Sequence, residues 1–174
     1  MKTLIVYYSY SGNNEKLAWE LKERLGCDIH KISEVKKRKT ISIMFEFFLN
    51  RKSKLTMADI EVKDYSKIIL IAPIWGSKIA SPMRAFIESQ HKNLGKYFFI
   101  TICNGEVGQK EKLNAELNSL ILHKPSEVAE LWINNILPED KKNKIKHTFS
   151  FRVTKPDLAL FDEEIKSFIR LVNV

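Results

Sequence analysis

The chain has 174 residues, 44% of them hydrophobic, and a formal net charge of +8, which allows one well-packed domain rather than two. Its longest apolar runs are strand-sized, far below the roughly 18 residues of a membrane-spanning helix, so the sequence predicts no transmembrane segment and a cytoplasmic location. Its two cysteines and four histidines are scattered, which argues against a disulfide framework and against a metal site.

The first predicted elements are a strand and a helix joined by a short polar loop. Residues 3–8 are almost wholly apolar or β-branched, which is typical of a strand buried on both faces of a parallel sheet. Helical spacing of apolar residues runs from residue 14 to about residue 25. Free backbone N–H groups and the positive end of the helix dipole converge at such a junction, so the loop at residues 9–14 is a candidate anion site.

The composition of this loop narrows the class of anion. It contains no lysine or arginine, and it matches neither a Walker loop nor the G-x-G-x-x-G dinucleotide loop. The hydroxyls of Ser9 and Ser11, the backbone of Gly12 and the amides of Asn13 and Asn14 suit a terminal phosphomonoester bound without a metal. An ordinary strand-to-helix turn is the alternative.

The same residues resemble a known family. The run Ser-x-Ser-Gly-Asn-Asn, with Tyr10 in the variable position, is similar to the phosphate loop of the flavodoxins, which bind FMN. The family usually closes this loop with threonine, and the asparagine at position 14 removes one hydroxyl donor. The resemblance implies that residues 9–14 bind the phosphate of FMN.

Strand and helix patterns alternate along the rest of the chain. Strands are predicted at residues 27–32, 68–72, 96–103 and 127–133. Helices are predicted at residues 41–49, 82–91, 110–123 and 157–172, with Ser81 as a candidate cap of the second. Phe149, Phe151 and Val153 alternate with polar residues, which predicts a short edge strand or a packed extended segment.

These patterns predict an α/β fold. Near-continuously apolar strands that alternate with helices indicate a parallel sheet covered on both faces. We expect a three-layer sandwich whose five-stranded parallel sheet has the order 2-1-3-4-5, as one flavodoxin-like domain over residues 1–174. In that order the ligand crevice lies at the carboxyl ends of strands one and three.

The loop after strand three also resembles a flavodoxin loop. It contains Pro73, Ile74, Trp75, Gly76 and Ser77, in the position of the flavin-ring loop of the short-chain flavodoxin-like family. The resemblance implies that Trp75 stacks on the isoalloxazine ring and that the carbonyl of Gly76 turns towards its N5 atom, a movement that glycine tolerates. The alternative is a tryptophan folded back over the core.

The loop after strand four would meet the other side of the ring. By resemblance, Cys103, Asn104 and Gly105 contact the cofactor, with backbone groups at its pyrimidine edge. Many flavodoxins have a tyrosine in this loop and this chain has none, so we expect a more open ring face. Cys103 is interpreted as a packing residue rather than a redox thiol.

The resemblance implies an FMN-binding flavoprotein that acts in electron transfer or as an NAD(P)H- or quinone-linked oxidoreductase, with no catalytic acid, base or nucleophile assigned. A hydrolase on this architecture is disfavoured, because the sequence contains no G-x-S-x-G nucleophile elbow. A flavin-free interaction or regulatory module that uses a basic face is the remaining alternative.

Positive charge is concentrated in two stretches. Residues 31–54 contain eight basic and two acidic side chains, and residues 139–155 contain six and two. Such runs are usually solvated faces. Their functional interpretation is a patch that attracts an acidic redox partner protein, an anionic substrate or a membrane surface. No nucleic-acid motif accompanies the charge, so no nucleic-acid partner is expected.

Overall fold

The computed structural model describes residues 2–34, 55–56 and 61–174. The predicted helix at residues 41–49 and most of the basic stretch 31–54 lie outside these residues. The described strands are β1 (Thr3–Tyr7), β2 (Asp28–Lys31), β3 (Ser33–Glu34), β4 (Leu55–Thr56), β5 (Lys67–Ile71), β6 (Ile74–Trp75), β7 (Lys78–Ile79), β8 (Lys96–Cys103) and β9 (Glu127–Trp132). The described α-helices are α1 (Asn13–Leu25), α2 (Ser81–Gln90), α3 (Gln109–Ile121), α4 (Ile133–Ile136), α5 (Ile145–Ser150), α6 (Lys155–Ala159) and α7 (Asp162–Asn173).

Five strands form one parallel sheet in the spatial order β2-β1-β5-β8-β9. Numbered by their succession in the chain, these strands have the order 2-1-3-4-5, so the predicted sheet is confirmed. All five residues of the central strand β5 are buried, which explains why its sequence is nearly continuous in apolar side chains. The strand order reverses between β1 and β5, and their carboxyl ends open the crevice where a ligand binds in such sheets.

Helices cover both faces of the sheet. One face packs against α2 and α3, and the other packs against α1 and α7. Successive residues of a strand point to opposite faces, so Leu4 and Ile68 belong to the first core whereas Ile5 and Ile69 belong to the second. The predicted three-layer sandwich is confirmed. No helix in the described part of the chain is long and apolar enough to cross a membrane.

The predicted edge strand around Phe149 is wrong. This residue lies in the short helix α5, with 60% of its surface exposed. The other expectation, a packed extended segment, holds for the residues that follow, because Phe151 is half-buried and Val153 is fully buried against the second core. Three alternating residues are too few to separate the end of a short helix from a strand.

Two predictions about helix ends also fail. The chain does not use Ser81 as the cap of α2, because the residue before the helix is Ala80 and no side chain caps it. The closing helix is divided into α6 and α7, which leaves Leu160 with 63% of its surface exposed at the break. A reciprocal capping box of Thr154 and Asp157 starts α6 at Lys155, two residues before the predicted start.

Candidate functional site

The loop between β1 and α1 leaves the N-terminus of α1 without a side-chain cap. Gly12 has a φ of 89°, and a Cβ placed there would meet no atom within 4 Å. Its N–H donates to Ser9 Oγ at 3.1 Å, and the first intrahelical bond joins Lys16 N to Gly12 O at 3.1 Å. Within the described residues, the N–H groups of residues 13–15 therefore have no acceptor. Three open donors at the positive end of a helix fit the oxygens of a phosphate group.

The amide side chains of Asn13 and Asn14 are bound to the backbone of distant segments. Asn14 donates to Ile102 O at 3.2 Å and accepts from Ile102 N at 2.9 Å. Asn13 donates to Phe151 O at 3.0 Å and accepts from Val153 N at 3.0 Å. Each amide pairs with a donor and an acceptor of the main chain, which leaves one N–H of each NH2 group for a ligand, so the expectation that these amides donate to a ligand stays a prediction. A threonine in place of Asn14 lacks the two-sided amide that this contact uses.

Residues 74–79 form a β-hairpin rather than the predicted loop. Its two central residues, Gly76 and Ser77, have φ values of 54° and 61°, the pair of positive angles that a type I′ turn requires. At the base of the hairpin, Ala80 N donates to Pro73 O at 3.0 Å. The hairpin was missed because a serine, rather than glycine, occupies the second turn position. It holds the backbone of Gly76 at the carboxyl end of β5.

Trp75 is half-buried beside the first loop. Its ring centroid lies 6.0 Å from that of Tyr8 and 6.2 Å from that of Tyr10, and both contacts are edge-to-face. Ile74, the preceding residue of β6, lines a cleft, and both side chains pack against the first core. Trp75 therefore joins two of the three loops that the sequence assigns to a cofactor. Its stacking on a flavin ring stays a prediction.

The loop after β8 is packed against a tryptophan that the sequence analysis did not single out. Gly105 has a φ of 90°, and a Cβ at this position would lie 2.5 Å from the ring of Trp132. Trp132 is the last residue of β9, the neighbouring strand. The signal was its place at the carboxyl end of a sheet strand, where ligand-binding residues gather.

A cleft of about 320 Å³ lies between the hairpin, the loop after β8 and the segment after β9. It brings together six residues that the sequence assigns to a cofactor, namely Ile74, Gly76, Ser77, Cys103, Asn104 and Gly105. Asn134, Asn143 and Thr148 form a further wall, which the sequence analysis left without a role. The Asn134 side chain is held in place because its Oδ1 accepts from Asn143 N at 3.0 Å. A wall of amide and hydroxyl groups suits the polar edge of a heterocyclic ring.

The thiol of Cys103, the last residue of β8, is a packing group. Burial raises the pKa of Cys103 to about 12, so the thiol is protonated at neutral pH and is a poor nucleophile. Gln109 Nε2 donates to its Sγ at 3.3 Å and also to a carboxylate oxygen of Glu130. These contacts support the interpretation of Cys103 as a packing residue of the cleft.

A carboxylate stands at the rim of the cleft. Ser77 Oγ donates to Glu106 at 2.9 Å, and Lys112 Nζ lies 3.2 Å from the other oxygen of the same carboxylate. The hydrogen bond from Ser77 and the contact with Lys112 lower the pKa of Glu106. This contact ties the turn of the hairpin to the loop after β8, so the two sides of the cleft are linked at their tips.

Solved structures with the same arrangement identify the fold. A flavoprotein of Lactobacillus acidophilus NCFM, crystallised in complex with FMN, superposes with a TM-score of 0.64 at 19% identity over 74% of this chain and 92% of its own. A protein of Bacteroides eggerthii DSM 20697 gives 0.69 at 14% identity over 99% and 98%. Oxidised flavodoxin 1 of Bacillus cereus gives 0.51 at 14% identity over 98% and 98%.

The chain has the flavodoxin-like fold. The likeness covers 99% of this chain for the second structure and 98% for the third. No protein-family model and no curated protein matches the sequence. The flavodoxin-like fold thus rests on geometry, and the ligand has to be argued from the site.

Proposed function

We propose that this flavodoxin-like protein binds FMN non-covalently and takes part in electron transfer. One observation carries the proposal: the open N-terminus of α1 and the cleft beside β8 lie at the same edge of the sheet, and Trp75 packs against the loop that leads into α1. A phosphate site next to a site for a flat ring matches the two ends of FMN. The fold shared with an FMN-bound flavoprotein supports the choice of ligand.

Each part of the site has a task in this proposal. The N–H groups of residues 13–15 and the hydroxyl of Ser11 hold the phosphate. Trp75 contacts the flavin ring, and the hairpin with the loop at residues 103–105 orients the ring and excludes water. FMN, when bound, supplies the one- and two-electron chemistry. The chain then needs no acid, base or nucleophile of its own.

The proposed electron partner is an acidic redox protein. Residues 139–155 contribute Asn143 and Thr148 to the cleft wall, and this same segment carries an excess of basic side chains. Five of these lie exposed: Lys141, Lys144, Lys146, Arg152 and Lys155. Positive charge beside the cleft would attract an acidic surface and accelerate its association. NAD(P)H or a quinone is the alternative partner.

The test of flavin binding is an equilibrium titration of the apo-protein with FMN, riboflavin and FAD. We expect saturable binding of one FMN per chain, with quenching of the flavin fluorescence. Absence of saturable binding for all three flavins would overturn the proposal and leave the flavin-free interaction module as the function to test.

The electron partner is tested separately with the FMN-loaded protein under anaerobic conditions. We expect slow bleaching of the flavin absorbance by NADH or NADPH, and faster reduction by an acidic redox protein such as a ferredoxin, at a rate that falls as salt is added. Rapid bleaching by NADPH or NADH without a partner protein would instead identify a reductase.

A further inference from the structure

The first turn of α1 is fastened to residues 151–153, which we call the C-terminal strap. Asn13 Nδ2 donates to Phe151 O, and Val153 N donates to Asn13 Oδ1, each at 3.0 Å. Lys16 Nζ also donates to Val153 O. Val153 is fully buried and the capping box of Thr154 fixes the residue after it. The strap therefore has a set position beside the N-terminus of α1.

Arg152 lies between the two strap residues that Asn13 binds. Its Nη1 donates to Phe151 O at 3.0 Å, the same carbonyl that accepts from Asn13 Nδ2. The guanidinium and the first residue of α1 thus share one acceptor. A second bond joins Nη1 to Phe149 O at 3.1 Å. Among the described residues, no carboxylate forms an ion pair with Arg152, so its charge is not neutralised by an acidic side chain.

The acidic group closest in sequence to the phosphate donors does not cancel this charge. Glu15 lies in the first turn of α1, but Lys31 Nζ contacts its Oε1 at 2.6 Å and Tyr7 O–H donates to the same oxygen at 2.9 Å. The bond from Lys31 lowers the pKa of Glu15. Its negative charge is therefore compensated by Lys31, a residue of β2.

We infer that Arg152 is the cation of the phosphate site, which the loop at residues 9–14 lacks. This inference rests on the proposed binding of FMN. A guanidinium forms a charge-assisted and often bidentate contact with a phosphate, which is stronger than its hydrogen bond to a neutral carbonyl. The C-terminal strap would position the guanidinium of Arg152 beside the open N–H groups of residues 13–15. Discrimination between phosphorylated and unphosphorylated flavin then depends on Arg152.

The experiment compares the dissociation constants of FMN and riboflavin, which differ by the phosphate alone. Arg152→Gln removes the charge and keeps hydrogen-bonding capacity. Lys155→Gln is the matched control, because it removes an exposed positive charge three positions further along. We expect Arg152→Gln to raise the dissociation constant of FMN about tenfold and to leave that of riboflavin unchanged. Lys155→Gln should change neither constant by more than about twofold.

Each other outcome has a definite meaning. Equal weakening of both flavins by Arg152→Gln would show that the residue supports the fold of the site and would overturn the inference. If Arg152→Gln and Lys155→Gln weaken FMN binding equally, the inference is overturned, because the whole basic segment then attracts the phosphate without a specific contact from Arg152. Unchanged FMN affinity in Arg152→Gln overturns it while FMN binding itself stands. If the unmodified protein binds neither flavin, the proposed function falls and the inference falls with it.

Discussion

The backbone N–H of Val153 donates to the side-chain oxygen of Asn13 at 3.0 Å, although 140 positions separate the two residues. The side-chain nitrogen of the same asparagine, Asn13 Nδ2, donates to Phe151 O. One side chain at the start of α1 therefore satisfies two polar groups of the extended segment that leads into the last helices. The candidate phosphate site and the C-terminal strap are one structural unit.

Asn13→Ala tests this unit. The substitution leaves the buried N–H of Val153 without its acceptor and Phe151 O without one donor. We expect a loss of about 1–3 kcal/mol in the free energy of unfolding, because an unpaired buried donor costs its full desolvation. Urea titration followed by circular dichroism measures it. Asn118→Ala, at an exposed position of α3, is the control and should change the free energy by less than about 0.5 kcal/mol. Equal effects of both substitutions would contradict the role of Asn13.

Gly105→Ala tests the packing of the loop after β8. A Cβ at Gly105 would lie 2.5 Å from the ring of Trp132, and φ is 90°. Gly108 has a φ of 79°, but a Cβ there would meet no atom within 4 Å, so Gly108→Ala is a control that shares the backbone strain without the clash. We expect Gly105→Ala to destabilise the fold more than Gly108→Ala does, by about 1–3 kcal/mol. Urea unfolding of both variants gives the difference, and a ranking in the opposite order would contradict the contact.

Trp75→Ala separates the ring site from the phosphate site. If Trp75 contacts the flavin ring, its loss weakens FMN and riboflavin alike, by about 1–3 kcal/mol. This pattern differs from that of Arg152→Gln, which should affect FMN alone. Fluorescence titration with both flavins measures it, and Trp19→Ala on the exposed face of α1 is the control. Unchanged affinity for both flavins would remove Trp75 from the site.

Glu116 should make the stability of the fold depend on pH. It accepts from Ile79 N in the hairpin at 2.9 Å, and burial raises the pKa of its carboxyl. The folded state therefore holds the proton more strongly than the unfolded state does. The stability that this group contributes is present at pH values below the ordinary pKa of 4.5 and is lost as the pH rises through the raised value.

The substitution Glu116→Gln keeps an acceptor for Ile79 and removes the titration. We expect the free energy of unfolding of the unmodified protein, relative to this variant, to fall as the pH rises from acid towards neutral. Glu116→Ala leaves the N–H of Ile79 without its acceptor and should be less stable than Glu116→Gln by about 1–2 kcal/mol at neutral pH. Parallel pH profiles of Glu116→Gln and the unmodified protein would contradict the buried carboxyl.

The sheet could be predicted from the sequence because it depends on local patterns. Apolar runs such as those of β1 and β5 are buried on both faces, and their alternation with helices leaves few topologies. The loop at residues 9–14 could be located for the same reason, since a strand, a glycine and a helix start follow one another directly.

Long-range and turn-specific features could not be predicted. The contacts of Asn13 with the strap join opposite ends of the chain, and nothing near Asn13 in the sequence marks its partners. The hairpin was missed because Ser77 adopts a positive φ that most serines avoid. The contact of Trp132 with Gly105 depends on the pairing of β8 with β9, which the local sequence around Trp132 does not indicate.

The most direct test of the central claim is a titration of the isotopically labelled apo-protein with FMN, followed by the backbone amide resonances. The resonances of the open N–H groups of residues 13–15 should shift strongly downfield as they bind the phosphate. The amide resonance of Gly105 should also shift, because we expect the flavin ring to lie beside it. Riboflavin should shift Gly105 and leave residues 13–15 nearly unchanged. Saturable binding of FMN that leaves the amides of residues 13–15 in place would contradict the phosphate site at the start of α1.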